Sequence, residues 1–231
     1  MIKMLVSSFY NTLINKEDAI PMSTMLELDR VRKKVSFVVT TNRLNDEVLY
    51  YNKDYPFIDY IISLNGNYIY DVENSVCLYK NPLEEETIKE IEKRFPNHSI
   101  FYYTEKKYYL KRPKEEIYKI EIKVSRKELK RTKELEDLDI FSSILRIEGG
   151  YYLEITNDST YDGVIKLSEM ISIFNDEIMS IVGNESEIGM VENLKNTYIV
   201  SNSPKVLKDK TKNRTKSNNA KGVEYILKKI I

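Results

Sequence analysis

The chain has one cysteine, one histidine and no tryptophan among its 231 residues. A single cysteine cannot form an internal disulfide, and one histidine with one cysteine excludes a zinc site built from those two residue types. Any metal would therefore need oxygen ligands. Lys+Arg and Asp+Glu both number 36, and this zero net charge argues against a generally basic nucleic-acid-binding protein.

Long apolar runs are also missing from the sequence. No stretch approaches the roughly 20 apolar residues that a membrane-spanning helix needs, and residues 1–13 are too short and too polar for a signal peptide. We therefore expect a cytoplasmic protein without a membrane partner. A hydrophobic fraction of 42% with 31% charged residues indicates a packed core rather than a disordered chain.

Short apolar runs alternate with helical patterns at both ends of the chain. Buried strands are predicted at 2–6, 35–39, 60–64, 178–182 and 198–200. Helical spacing of apolar residues lies between them, with Ser23 as an expected N-cap and a last helix at 222–231. Such alternation is typical of a parallel, doubly wound sheet.

The middle of the chain has a different pattern. A helix predicted from Pro82 precedes several strand segments, a charged helix at 126–138 and a strand pair at 144–155. We therefore predict an α/β fold with a Rossmann-like, doubly wound core and an inserted small α+β cap. The predicted core comprises residues 1–82 and 157–231, and the predicted cap comprises residues 83–156.

Polar segments follow the predicted core strands, where ligands bind in open parallel sheets. Their order and spacing resemble the haloacid dehalogenase superfamily, in its Cof-type, class IIB sugar-phosphatase-like branch. Residues 62–71, ISLNGNYIYD, are similar to the branch's LNGA-IYD segment, and residues 37–43, FVVTTNR, to its FVIATGR segment. The loop at 183–190, GNESEIGM, stands in the place of GDGENDI-ML, and residues 217–227 resemble the terminal N-DGVA--L helix.

The catalytic positions implied by this resemblance carry other residues here. Family phosphatases begin with a strand that runs into D-x-D-G-T, in which the first Asp attacks phosphorus and the second is the general acid/base. Ser8 and Tyr10 occupy these positions. An unassisted serine is a poor nucleophile at neutral pH, and a tyrosine with its ordinary pKa of about 10 is a poor base. We therefore expect both to be inactive.

The implied magnesium loop is altered as well. The family's metal-binding Asp falls on Gly183 and the following Asp on Glu187, with Asn184 between them. Because Mg²⁺ prefers carboxylate oxygens, we expect no metal and no other cofactor. Mg²⁺ is expected only if hydrolysis has been retained.

The phosphate-binding positions are partly kept. In the family, the hydroxyl at the position of Thr41 holds a phosphate oxygen, and a lysine stands where this chain has Asp162. The candidates for binding phosphate or another anion are Thr12, Thr41, Asn42, Arg43, Asn65, Asp162 and Lys166. Thr12 and Thr41 have an equally simple alternative role, which is hydrogen bonding to loop backbone.

Three functions remain open from the sequence. The leading interpretation is a binding or regulatory protein that has lost phosphatase activity and holds a small phosphorylated metabolite or anion. The first alternative is an active phosphate-ester hydrolase with a rebuilt site, using Ser8 or a carboxylate such as Glu185. The second is a module that binds a protein partner through its Tyr-rich cap. The basic segment 205–216 is interpreted as solvated chain rather than a nucleic-acid site.

Overall fold

The computed structural model describes residues 1–53 and 56–229. The strands within these residues are β1 (Met4–Ser8), β2 (Ser36–Thr40), β3 (Tyr60–Ser63), β4 (Tyr68–Asp71), β5 (Val76–Lys80), β6 (Ile100–Tyr103), β7 (Tyr108–Tyr109), β8 (Lys119–Val124), β9 (Phe141–Ile147), β10 (Gly150–Thr156), β11 (Ile178–Val182) and β12 (Asn196–Ile199). The α-helices are α1 (Met22–Arg32), α2 (Asn45–Asn52), α3 (Glu85–Arg94), α4 (Thr160–Met170), α5 (Ile188–Asn193), α6 (Lys205–Lys208) and α7 (Gly222–Leu227).

The larger sheet has the strand order β12-β11-β1-β2-β3-β4-β5. Its strands are parallel from β12 to β3, and β4 and β5 continue it as an antiparallel meander. All five residues of β1 are buried, as expected for a central parallel strand covered on both faces. This arrangement confirms the predicted α/β class with a doubly wound parallel core.

Helices cover the two faces of this sheet. One apolar cluster includes residues of α1, α2 and α7, and a second includes residues of α4, α5 and α6. None of the helices in the described part of the chain is long and apolar enough to cross a membrane.

A smaller antiparallel sheet has the strand order β7-β6-β8-β10-β9. One of its faces packs against α3 and against a 3₁₀ segment, Arg126–Leu135, around Ile91, Ile120 and Leu153. All strands of this second sheet come from the middle of the chain. The division into a core of residues 1–82 and 157–231 and a cap of residues 83–156 stays a prediction about folding units.

Several predicted helix boundaries differ from the structure. Helix α3 begins at Glu85 rather than at Pro82, and the charged helix predicted at 126–138 is the 3₁₀ segment Arg126–Leu135. Helix α1 begins directly after Pro21, so Ser23 is not its N-cap. Instead, the Ser23 hydroxyl donates to Oε2 of Glu224 on α7 at 2.6 Å. The sequence predicts a last helix at 222–231, whereas α7 ends at Leu227; residues 230 and 231 lie outside the described residues.

The turn after β3 lies directly against the beginning of α4. Gly66 has a φ of +108°, and a Cβ built on it would lie 2.1 Å from the carbonyl oxygen of Ser159. A Cβ on Gly163 would lie 2.7 Å from the Cα of Gly66. Both glycines are needed because the two backbones approach more closely than any side chain allows.

Candidate functional site

Ser8 lies at the carboxyl end of β1, where the chain enters a wide turn at Phe9–Leu13. Its side chain is completely buried. The Ser8 hydroxyl donates to Oε1 of Glu187 at 2.5 Å, and it lies 3.5 Å from the carbonyl oxygen of Ile181. The hydroxyl is therefore engaged with groups inside the protein.

Glu187 is held by four hydrogen-bond donors from three strand ends. Its Oε1 accepts from the hydroxyls of Ser8 and Thr40, at 2.5 and 3.0 Å. Its Oε2 accepts from the backbone N–H groups of Gly183 and Asn184, at 3.1 and 2.9 Å. Burial raises the pKa of the Glu187 carboxyl above its ordinary value, and these hydrogen bonds oppose the shift only in part.

The residues at this position do not fit the magnesium ion that the family implies. A carboxylate offers about four lone-pair sites, and those of Glu187 are taken by its four donors. Gly183 supplies no ligand, and a Cβ there would lie 2.4 Å from Oγ1 of Thr12. In the described residues, no three His, Cys, Asp or Glu side chains group closely enough to hold a metal.

Tyr10 is packed at the entrance of the same turn. The Tyr10 hydroxyl donates to Oε2 of Glu47 at 3.2 Å, and the guanidinium carbon of Arg43 lies 4.0 Å from the centre of the Tyr10 ring. Arg43 is also paired with Glu47 at 3.2 Å. Burial raises the pKa of Tyr10 to about 12, so the phenol is protonated at neutral pH and cannot act as a base.

Thr12, Thr41 and Asn65 are candidates for binding an anion. Their side chains either bond to the loop backbone or have no hydrogen-bond partner among the described residues. Oγ1 of Thr41 accepts from the backbone N–H of Arg43 at 3.1 Å. Oγ1 of Thr12 and both polar side-chain atoms of Asn65 are buried without a hydrogen-bond partner among the described residues. Asn65 is completely buried and adopts a φ of +56°.

Asp162, at the family's lysine position, and Lys166, a few residues further along the chain, make other contacts. Oδ2 of Asp162 accepts from the backbone N–H and the hydroxyl of Ser159, at 2.8 and 2.6 Å, and so caps the first turn of α4. The ammonium of Lys166 lies 3.1 Å from the Tyr79 hydroxyl and 4.2 Å from the centre of its ring. Thus Asp162 caps α4 and Lys166 faces β5.

A cavity of about 610 Å³ opens above this region, between the core loops and the second sheet. Among its lining residues are Tyr10, Asn11, Asn42 and Asn184 from the core loops. Strands β9 and β10 add Ile144, Leu145, Arg146 and Glu154. Ser8 and Glu187 are not among the lining residues, because both are buried beneath the cavity.

A buried group of charges that the sequence reasoning missed lies beside this cavity. Lys119 on β8 is completely buried, and its ammonium lies 2.6 Å from Oε1 of Glu121 and 3.3 Å from Oε1 of Glu154. It also donates to the carbonyl oxygen of Asn42, whose Nδ2 donates to Glu154 at 2.8 Å. Burial alone would lower the pKa of Lys119, but the two carboxylates raise it above its ordinary value.

The tyrosines of the second sheet mainly contact neighbouring carboxylates. The hydroxyls of Tyr102, Tyr103 and Tyr109 donate to Glu92, Glu121 and Glu115, at 2.8, 2.8 and 2.6 Å. Tyr108 remains 55% exposed at the edge strand β7. These bonds join Tyr102 to α3, Tyr103 to β8 and Tyr109 to the segment between β7 and β8.

Comparison with known proteins gives one family and one fold. A family model described as haloacid dehalogenase-like hydrolase matches residues 11–148 and 114–227. A haloacid dehalogenase-like hydrolase from B. subtilis has a similar structure, with a TM-score of 0.89 and 16% identity over 100% of both chains. A phosphatase of the superfamily from Bacteroides thetaiotaomicron gives 0.85 and 16%, over 100% of this chain and 95% of its own.

A subclass IIB sugar phosphatase also has a similar structure, with a TM-score of 0.81 and 18% identity over 99% of this chain and 100% of its own. No curated protein matches the sequence. At such low identities, the structural likeness establishes the fold alone.

Proposed function

We propose that this chain, which belongs to the haloacid dehalogenase-like hydrolases as its motifs predicted, is a binding protein without that family's phosphatase chemistry. It would hold a small polar metabolite in the cavity between the core loops and the second sheet. The anion or phosphorylated metabolite expected from the sequence is one class of ligand for this cavity.

The observation that carries the proposal is the closed hydrogen-bond arrangement of Ser8, Glu187 and Gly183. Phosphoryl transfer needs an accessible nucleophile and a cation that neutralises charge on the phosphoryl oxygens. Here the hydroxyl of Ser8 has no exposed surface, and Glu187 is saturated by its donors. The space that an Asp at Gly183 would need is filled by Thr12.

One observation favours a second candidate, a hydrolase with a rebuilt site. Ser8 and Glu187 lie within hydrogen-bond distance, which is the geometry of a hydroxyl nucleophile with a carboxylate base. For such a reaction, the residues above Ser8 would have to move and expose its hydroxyl to the cavity. The binding function is favoured because it needs no such movement.

The test is hydrolysis of an aryl phosphate and a panel of sugar phosphates, with and without Mg²⁺. Wild type is compared with Ser8→Ala and with the matched control Ser7→Ala, since Ser7 is also buried on β1. We expect no magnesium-dependent release of phosphate from any of the three proteins. Turnover that needs Mg²⁺, survives in Ser7→Ala and disappears in Ser8→Ala would establish the hydrolase instead.

A further inference from the structure

We propose that the cavity binds an uncharged, hydroxyl-rich molecule, a free sugar or polyol, in preference to a phosphate ester. The inference rests on the proposed binding function, because it names the ligand class for the same cavity. It follows from the charges and the amide groups that line the cavity.

The charged residues lining the cavity do not favour an anion. They comprise two basic side chains, Lys16 and Arg146, and three acidic ones, Asp18, Glu154 and Glu185. A guanidinium nitrogen of Arg146 lies 3.4 Å from Oε2 of Glu185, so this cation is already paired. Lys16 and Asp18 are both exposed, near each other in the chain. Glu154 is paired with Lys119 behind the lining, so a phosphate group would meet no net positive charge at this cavity.

Arg43 in the core and Lys119 on β8 lie near the cavity, and both already contact other side chains. Arg43 is paired with Glu47 and lies over the Tyr10 ring, and Lys119 is enclosed by carboxylates. Neither residue is among those that line the cavity. Phosphate sites depend on charge-assisted hydrogen bonds from such side chains, and these two are already engaged by carboxylates.

Asparagines are the commonest residues of the lining, and they hold its loops together. The lining asparagines are Asn11, Asn15, Asn42, Asn184, Asn202, Asn218 and Asn219. Nδ2 of Asn11 donates to Oδ1 of Asn184 at 3.0 Å, and Nδ2 of Asn202 donates to the carbonyl oxygen of Asn11 at 2.8 Å. Oδ1 of Asn219 accepts from the backbone N–H of Lys16 at 2.8 Å.

These bonds use only part of each amide. In the described part of the chain, Oδ1 of Asn11 and of Asn42 accept no hydrogen bond, and Nδ2 of Asn15 and of Asn219 donate none. The cavity therefore offers both acceptors and donors. A ligand hydroxyl can pair with either kind, because it donates one hydrogen bond and accepts others. An ionised phosphate only accepts, so it could use the free Nδ2 groups but not the free amide oxygens, whereas a hydroxyl could use both.

The experiment is a titration of ¹⁵N-labelled protein followed by NMR, with ribose, glucose and sorbitol as neutral probes. Ribose 5-phosphate, glucose 6-phosphate and inorganic phosphate are the charged probes. We expect the side-chain amide signals of Asn42 and Asn219 to move with a neutral probe and to move less with its phosphorylated form. The Asn193 amide is the internal control, because it bonds to Gly189 on α5, away from the cavity.

Two variants sharpen the test. Asn219→Ala removes one donor and should weaken binding of the neutral probe about three- to tenfold, as expected for one hydrogen bond, whereas Asn193→Ala should leave it unchanged. Glu185→Gln removes the partner of Arg146 and should strengthen binding of the phosphorylated probe. Tighter binding of phosphorylated probes by wild type, or no binding of any neutral probe, would overturn the inference.

These outcomes are separable from failure of the proposed function. Release of inorganic phosphate from the charged probes, followed in the same samples by ³¹P NMR, would identify a hydrolase and so overturn the binding function. Tight binding of a phosphorylated probe without release would overturn only the choice of ligand class.

Discussion

The hydroxyl of Ser8 and Oε1 of Glu187 lie 2.5 Å apart and join the end of β1 to the loop that follows β11. Glu187 also binds the backbone N–H groups of Gly183 and Asn184, so the same carboxyl group closes that loop on itself. A buried carboxyl with partners at both oxygens stabilises a loop without offering a site to an incoming ion.

The Glu187 carboxyl should make stability depend on pH in a defined direction. Its pKa is raised by burial above the ordinary value of 4.5, so the folded state binds its proton more tightly than the unfolded state. This contribution to the free energy of unfolding is fully present below pH 4.5 and is lost as pH rises through the folded-state pKa. In Glu187→Gln, the free energy of unfolding should therefore depend less on pH, by up to about 1.4 kcal/mol per pH unit in this range.

Urea denaturation across this pH range measures the slope for wild type, Glu187→Gln and the exposed control Glu148→Gln. The control should retain the wild-type slope. An unchanged slope in Glu187→Gln would show that the carboxyl does not titrate differently in the two states.

Gly183 and Thr12 should be energetically coupled. Gly183→Ala places a Cβ 2.4 Å from Oγ1 of Thr12 and 3.1 Å from Cγ2 of Val200, and overpacking of this kind costs about 1–3 kcal/mol. Thr12→Ala removes the hydroxyl, which is buried without a partner among the described residues, together with the buried γ-methyl, and should cost about 1 kcal/mol on its own. The double variant should be more stable than the two separate losses predict, which a double-mutant cycle measures. Simple additivity would contradict the contact.

Lys119 should contribute far more to stability than its neighbour Lys123 on the same strand. Lys119→Met leaves the carboxylates of Glu121 and Glu154 buried without their shared cation, a change that costs about 3–5 kcal/mol. Lys123 is exposed, so Lys123→Met is the matched control and should change the free energy of unfolding by less than about 0.5 kcal/mol.

Hydrogen exchange localises the effect of Lys119→Met. Because Lys119 donates to the carbonyl oxygen of Asn42, backbone amides of residues 40–43 should exchange faster in this variant. Replacing Glu121 and Glu154 by Gln in the same protein should recover part of the lost stability, since it removes the unpaired charges. Equal losses in the two single lysine variants would contradict the role of the buried charges.

The sequence was sufficient for the fold and for the family resemblance. Continuous apolar runs predicted β1 and β2, and their polar ends, Ser8 and Thr40–Arg43, could be placed at one edge of a parallel sheet. The partners of Glu187 could not be predicted in this way. Two of them, Ser8 and Thr40, stand 179 and 147 residues before Glu187, and only the packed strands bring them to it.

The buried charges of β8 escaped the sequence reasoning for a different reason. Lys119, Glu121 and Lys123 alternate with apolar residues, a pattern that normally places the polar face in solvent. Here the core loop at Asn42 contacts Lys119 and its partner Glu154 on the neighbouring strand β10. The polar face of a strand becomes buried when another part of the protein packs on it, and the alternation of polar and apolar residues along the strand does not predict such packing.

Gly66 and Gly149 offer a direct test of why the turn after β3 requires glycine. Both residues have a positive φ, +108° and +99°, so alanine at either position carries a backbone penalty of about 1–2 kcal/mol. A Cβ at Gly149 meets nothing within 4 Å, whereas one at Gly66 lies 2.1 Å from the backbone oxygen of Ser159. Gly66→Ala should therefore lower the free energy of unfolding clearly more than Gly149→Ala, because α4 must shift to relieve the contact. Equal losses in urea denaturation would mean that the positive φ alone accounts for the glycine, and that α4 can move away from the turn at no cost.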